Sequence, residues 1–241
     1  MGSYTAPVKD MELALEVAAD LDGLSKIDGF GEATPDLVQA VLEEAGKLAS
    51  NTLAPLNKSG DRQGAVLENG VVRMPDGFQE AYDEYVAGGW NALTFSPDYG
   101  GQGLPFALGV AVQETWTAAN MAFSLCPLLN QGAVEALTVH GSEDLKRLYL
   151  PKMITGEWSG TMNLTEPQAG SDLAQLKTKA FPADDGTYRI KGQKIYITYG
   201  EHDLTSNIVH LVLARLPDAP AGTKGISLFL VPKYIPDEDG K

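Results

Sequence analysis

Apolar residues recur at helical spacing along the first two-thirds of the chain and alternate along the last third. After Thr34-Pro35, an N-cap residue followed by a proline suited to the first helical position, Leu37, Val38, Val41, Leu42, Ala45 and Leu48 fall three and four residues apart. That spacing predicts an amphipathic helix with one buried face. Pro75-Asp76-Gly77 opens another, with Phe78, Tyr82, Tyr85 and Val86 on one side, and Gly88-Gly89 closes it. Further helical stretches run from Phe106 to Ala119 and from Ser124 to His140, the second ending at Gly141. Ser142 caps a shorter helix that carries Leu145, Leu148 and Tyr149 and is expected to stop near Pro151.

From Glu157 the period changes to two. Strands are expected at 158–165, 177–182, 187–191, 194–198, 208–215 and 226–231, with Asp184-Asp185-Gly186 and Gly192-Gln193 as tight turns. This order predicts an α+β protein, with an all-helical N-terminal domain over residues 1–156 and an antiparallel, barrel-like β-domain over 157–241. No internal repeat, low-complexity tract or long linker interrupts it, and the acidic run Pro236-Asp237-Glu238-Asp239 reads as solvated.

A chain of 241 residues with 44% hydrophobic content can bury the cores of such a pair of domains. No run reaches the ~20 apolar residues of a membrane span, and the N-terminus lacks a signal-peptide pattern, so a cytoplasmic protein is expected. Cys126, the single cysteine, sits in an apolar run that favours a buried thiol. His140, His202 and His210 show no metal-ligand spacing, so no metal site is expected, and His140, just before a glycine stop, suits a helix C-terminus. A net charge of −14 argues against nucleic acid as a partner.

The segment Met162-Asn-Leu-Thr-Glu-Pro-Gln-Ala-Gly-Ser-Asp172 reads as an apolar strand that ends in a loop of small and polar residues. Glu166-Pro167 stops the strand, and Gly170-Ser171 lets a ligand approach the backbone, as a phosphate-bearing cofactor requires. Thr165 and Ser171 could equally cap the strand-to-loop transition through their own backbone bonds. Gly100-Gly101-Gln102-Gly103 is a poorer candidate for nucleotide binding, because no further glycine follows at the required spacing and Leu104-Pro105 interrupts it.

The 162–172 segment resembles the flavin-binding signature of the acyl-CoA dehydrogenase family, Leu-Thr-Glu-Pro-x-Ala-Gly-Ser-Asp. Gly192-Gln193-Lys194-Ile195-Tyr196-Ile197-Thr198-Tyr199-Gly200 resembles a second family motif, in the same order and spacing. The resemblance continues through Tyr99 to Pro105, His140 to Glu143, Leu150-Pro151-Lys152 and Gly156-Glu157. The opening, Tyr4 to Asp10, looks like a subgroup with an extended N-terminus that includes methylthiopropionyl-CoA dehydrogenases.

The resemblance implies an FAD-dependent enzyme that desaturates an acyl-CoA thioester at the α,β position, with hydride passing to flavin N5 and electrons to an electron-transfer flavoprotein. It implies a homo-oligomer, a dimer or tetramer. Carried over by motif, Leu164 and Thr165 would bond the pyrimidine edge of the flavin. Gly170 and Ser171 would lie by the pyrophosphate, with Ser171 also on the substrate side, and Thr198 would set its hydroxyl near N5. Tyr196 stands where the family has a tryptophan beside the ring, Met162 where an aromatic is frequent, and Tyr199 in place of an asparagine. Glu166 is structural by the same analogy. The catalytic base is expected in a second helical domain beyond Lys241, so no catalytic residue is assigned in this chain, and the chain alone is expected to be inactive. The helix from Ser124 to Leu137 could line an acyl tunnel or be ordinary core. CoA is itself anionic, so local cations or helix N-termini would have to receive its phosphates on this acidic chain. A non-catalytic remnant or interaction module, and a flavin oxidase or monooxygenase on the same scaffold, are the competing readings.

Overall fold

In the computed structural model, which describes residues 4–237, α1 (Val8–Val17) and the short α2 (Leu21–Leu24) precede a long helical rod. The rod begins at α3 (Pro35–Leu48), where the Thr34 hydroxyl accepts the Leu37 N–H at 3.3 Å, as its N-cap position predicts. It passes through one π-helical stretch, Ala49–Leu53, into α4 (Ala54–Gln63). Pro55 has no N–H and cannot follow a regular α-turn without a clash, so the wider π turn just ahead of it lets the rod continue.

A hairpin follows that the periodicity did not reveal. β1 (Val66–Glu68) and β2 (Val71–Arg73) pair antiparallel around Asn69 and Gly70, which have φ of 52° and 82°. Two left-handed residues are what a type I′ turn needs. The N-terminal domain is therefore helical with one inserted hairpin.

Helices α5 (Phe78–Ala87), α6 (Phe106–Ala119) and α7 (Met121–His140) complete the helical layer. Phe78, Tyr82 and Tyr85 bury one face of α5 as predicted, and their rings pack with Phe123 and Trp116. Burying such rings stabilises the layer by a few kcal/mol each. Cys126 lies in the same core, and burial pushes its thiol up.

Helix α8 (Glu143–Thr155) runs past Pro151, where a stop was expected, and ends at Gly156 with φ 87°. Its final carbonyls explain the extension. Asn91 Nδ2 donates to Met153 O at 2.7 Å and to Ile154 O at 3.0 Å, Asn130 Nδ2 to Met153 O at 2.8 Å, and the Tyr82 hydroxyl to Gly156 O at 2.9 Å. Buried side chains thus satisfy groups that a helix end would otherwise leave orphaned.

The second layer is an open five-stranded sheet of β3 (Trp158–Asn163), β4 (Lys179–Pro182), β5 (Tyr188–Lys191), β6 (Asn207–Arg215) and β7 (Ile226–Pro232). It is mixed and does not close into a barrel. β3 runs parallel to β6, whereas β4 with β5 and β6 with β7 are antiparallel. The departure from an all-antiparallel sheet follows burial: β3 has Trp158 to Thr161 buried in succession and β6 is buried along most of its length. Strands covered on both faces suit parallel pairing. The segment expected as a strand at 194–198 is a loop instead, because Tyr196 and Tyr199 hold left-handed φ of 57° and 51°. Of the acidic terminal run, Glu238 and Asp239 lie outside the described residues.

Gly160 on β3 fixes how closely α7 can approach. A Cβ there would stand 2.4 Å from Ala133 Cβ and 2.9 Å from Met153 Cε. Gly160→Ala is expected to destabilise the protein by about 1–3 kcal/mol through overpacking, and Ala133→Gly in the same chain should recover part of that loss. Urea unfolding of the two single variants and the double variant checks it.

Candidate functional site

The site begins with a gap in a strand register. β3 leaves the edge of β6 opposite Val212, and β4 rejoins the same edge opposite Arg215. Residues 164–178, which contain the first motif, form the excursion between them. The arrangement places a polar loop at the end of a buried parallel strand, where small and polar residues can face a ligand.

Three anchors hold this loop. Glu166 and Ala169 exchange backbone bonds of 2.9 and 3.0 Å, which close the Glu166-Pro167 turn. At the loop's far end Asp172 Oδ1 accepts the Ala174 N–H at 3.0 Å, and Arg215 donates from Nε to Leu176 O at 2.9 Å and from Nη2 to Ala174 O at 2.8 Å.

The strongest anchor is the Glu166 carboxylate, which is 4% exposed. It accepts from Lys177 N at 2.8 Å, Thr178 N at 3.0 Å, Gln168 Nε2 at 2.6 Å and Lys194 Nζ at 2.9 Å. Burial alone would raise its pKa, but the donors from Thr178, Lys177 and Lys194 outweigh that and hold it down at about 2. Such a carboxylate is fully engaged and cannot serve as a general base, so its structural role stands on geometry.

Lys194 joins the two motifs. Its ammonium also donates to Leu164 O at 3.0 Å, and next to it Ile195 N donates to Thr165 O at 3.0 Å. The structure therefore brings Leu164 and Thr165 against the segment that carries Tyr196. Met162 ends β3 half-exposed, and Tyr196 projects outward with 89% exposure. Gly170 and Ser171 stand apart, exposed at the loop tip beyond the Glu166–Ala169 turn. Thr198 faces another way, into a cleft of about 800 Å³ lined in part by Lys58, Met74, Phe78, Leu125 and Tyr199.

The hydroxyls of Thr165, Ser171 and Thr198 make no hydrogen bond among the described residues, whereas those of Ser159, Thr161 and Thr205 nearby all do. The capping alternative for Thr165 and Ser171 is thereby removed. A Cβ added at Gly170 would meet nothing within 4 Å, so internal packing does not require glycine there.

Behind Thr198 the loop is pinned by a buried chain of polar groups. Leu204 N donates to His202 Nδ1 at 3.1 Å, which leaves Nε2 to donate to Ser159 Oγ at 2.9 Å. Ser159 meets Thr205 Oγ1 at 3.1 Å, and Thr205 donates to Asn207 O at 2.8 Å. Tyr199, edge-on to the His202 ring, donates its hydroxyl to Ala122 O at 2.7 Å and so ties the loop to the start of α7. Sequence reasoning gave roles to neither Lys194, Arg215 nor His202. Lys194 was visible inside the second motif, while the other two carry no local signal.

His202 is 1% exposed, and burial lowers its pKa to about 4. The folded protein then binds fewer protons than the unfolded chain between about pH 6.5 and pH 4. Stability from this group is complete above about pH 6.5 and is lost as pH falls toward 4, by on the order of 3 kcal/mol in all. Unfolding midpoints across this range should show the slope in the wild type and a reduced one in His202→Gln. Glu166→Leu should cost about 3 kcal/mol or more at neutral pH, because it strands the Lys194 ammonium in a buried setting; denaturant titration reads this directly.

Comparison with known proteins gives matches along most of the chain. A model of the acyl-CoA dehydrogenase N-terminal domain matches residues 36–157, and one of the acyl-CoA dehydrogenase middle domain matches residues 161–240. A 3-methylmercaptopropionyl-CoA dehydrogenase from Ruegeria pomeroyi is 51% identical over 99% of this chain and 41% of its own length. Among solved structures, butyryl-CoA dehydrogenase from Megasphaera elsdenii superposes with a TM-score of 0.68 at 25% identity, over 82% of this chain and 49% of that one. An acyl-CoA dehydrogenase from Bacillus anthracis, complexed with FAD, shares the fold at TM-score 0.66 and 24% identity, over 84% of this chain and 32% of that one. The chain spans about two-fifths of the length of the curated relatives it matches. With both domain models and both motifs in agreement, the chain belongs to the acyl-CoA dehydrogenase family.

Proposed function

We propose that this chain is the helical and β-domain part of an FAD-dependent acyl-CoA dehydrogenase, divided at residues 156 and 157, and that the whole protein desaturates an acyl-CoA thioester and passes electrons to an electron-transfer flavoprotein. The observation that carries the reading is the joining of the two motifs through Lys194, with the hydroxyls of Thr165, Ser171 and Thr198, one at the junction and two apart from it, left unengaged. Bound FAD would supply the acceptor for the hydride.

The residues present fit that cofactor. Thr165 offers an unengaged hydroxyl beside a strand end, Gly170 leaves open backbone, Ser171 and Thr198 offer further hydroxyls, and Tyr196 offers an exposed aromatic face of the kind that packs against a planar ring. Leu164 and Met162 flank them on the same strand and loop. Glu166 and Lys194 orient Leu164 and Thr165 without touching the reacting atoms. No carboxylate in this loop is free to take the α-proton: Glu166 is fully bonded, and Asp172 caps Ala174 and accepts from Gln175 Nε2. The base belongs to the remainder of the protein.

None of the helices among the described residues is long and apolar enough to cross a membrane, and none of their side chains cluster as a metal site. An acyl-CoA and an electron-transfer flavoprotein are the partners proposed.

Titration of the purified chain with FAD is expected to quench flavin fluorescence, and Thr165→Val should weaken binding about tenfold through loss of one hydrogen bond. Anaerobic addition of acyl-CoA substrates should leave the flavin bands of this chain unbleached and should bleach those of the full-length protein. A full-length protein unbleached by every acyl-CoA would overturn the reading.

A further inference from the structure

The second motif contains a strained turn that its neighbours must hold in place. The Gly200 N–H donates to Ile197 O at 3.0 Å, which closes a four-residue turn with Thr198 and Tyr199 at its centre. Tyr199, third in that turn, has φ of 51°. A positive φ at the third position suits Gly or Asn, and a bulky side chain adopts it only where surrounding contacts over-determine it. The family motif that this segment resembles has asparagine there, a residue that tolerates left-handed backbone, whereas this chain has tyrosine. Gly200 leaves the turn little slack, because a Cβ on it would stand 2.9 Å from Ile197 Cβ.

The contacts that hold Tyr199 come from both layers. Its hydroxyl donates at 2.7 Å to Ala122 O, in the first turn of α7. Its ring stands edge-on to the His202 ring at a centroid separation of 5.4 Å and packs on the helical core, and His202 is itself bonded to Ser159 on β3. On the other side of Thr198, Ile195 and Lys194 are fixed to Thr165 and Leu164. Thr198 is therefore suspended between two tethers, one to the first motif and one to the helices. Its own hydroxyl has no bond among the described residues to orient it, and it shares the wall of one cleft with Tyr199, Ala122 and Leu125. Closing the turn does not require tyrosine, since Gly or Asn would close it with less strain. What the tyrosine adds is the bond to α7.

We infer that Tyr199 is a positioning residue for Thr198: its tether to Ala122 fixes the direction of the Thr198 hydroxyl, and with it the strength of that hydroxyl's hold on bound flavin. The inference rests on the proposed function, in which Thr198 meets the cofactor, and adds a residue that acts on the cofactor only through its neighbour. Fixing a donor before the ligand arrives removes the ordering cost that a free turn would add to binding. The strain at Tyr199 is the counterpart of that order, because relaxation of the turn would release the strain and the hydroxyl's direction together.

The test is a double-mutant cycle on FAD affinity, read by quenching of flavin fluorescence. Thr198→Val in the otherwise wild-type chain should weaken FAD about fivefold, as loss of one hydrogen bond predicts. Tyr199→Phe keeps the ring and loses only the Ala122 bond, and should weaken FAD about threefold; Tyr199→Asn removes the ring and should weaken it about fivefold. In either Tyr199 background the Thr198→Val change should then cost less than about twofold, because the hydroxyl is no longer aimed. In the ligand-free chain, hydrogen exchange at the Gly200 amide should quicken in Tyr199→Phe while the core amides of α3 and α6 exchange as in the wild type. A tyrosine that served the fold alone would lower affinity by the same factor with or without the Thr198 hydroxyl. Additive losses, or FAD affinity unchanged in both Tyr199 variants, would therefore overturn the inference and leave the proposed function standing, since flavin is still bound. Absence of FAD binding by the wild-type chain and by the full-length protein alike would refute the proposed function and this inference with it.

Discussion

The buried pair of Glu166 and Lys194 determines the shape of everything around it. Removing a carboxylate and an ammonium from water costs several kcal/mol each, and their mutual attraction repays this only with further hydrogen bonds in place. Here the carboxylate has two backbone donors and the Gln168 amide in addition to Lys194, and the ammonium has a backbone carbonyl. Because each partner comes from a different motif, neither loop can settle without the other. The pair acts as a template, and the side-chain hydroxyls of Thr165 and Ser171 are among the groups it leaves uncommitted.

The helical layer is tied to the sheet by an equally specific device. Asn91, Asn130 and Tyr82 reach from α5, α7 and the segment after α5 to the last carbonyls of α8, next to the point where β3 begins. Gly160 then lets α7 lie close against that strand. The first turn of β3 into the signature loop is thereby referred to the helices, so the position of Thr165 depends on packing far from the loop itself.

Much of this was legible in the chain. The caps of α3 and α8, the stop of α7 at Gly141 and the buried face of α5 follow from local chemistry, which short-range patterns encode well, whereas the start of α7 at Met121, capped by Asn120, lies three residues before the expected Ser124. The hairpin at Asn69-Gly70 was equally legible, since that dipeptide between Val66-Leu67 and Val71-Val72 is a turn signal, and it was passed over. Other features were not readable locally. Ile195-Tyr196-Ile197 has the composition of a strand, but Lys194 is drawn inward by Glu166 and two tyrosines sit in left-handed backbone, so tertiary context overrides propensity. Parallel pairing of β3 with β6 depends on partners about 50 residues apart, which alternation along either strand cannot specify. In the candidate site, the motifs named their own residues, whereas Arg215 and His202 are bonded to distant neighbours that only the fold supplies.

The π turn at Ala49–Leu53 gives the long rod a second, less obvious property. It holds one residue more than an α-turn needs, and each residue of a helix advances the azimuth by about 100°. The phase of α4 relative to α3 is therefore stored in that single surplus residue. It is this phase that points Gly60 at the ring of Phe78, where a Cβ would come within 2.6 Å. A deletion that regularised the rod would look harmless in the helix and would still swing α4 about its own axis, detaching it from the aromatic core.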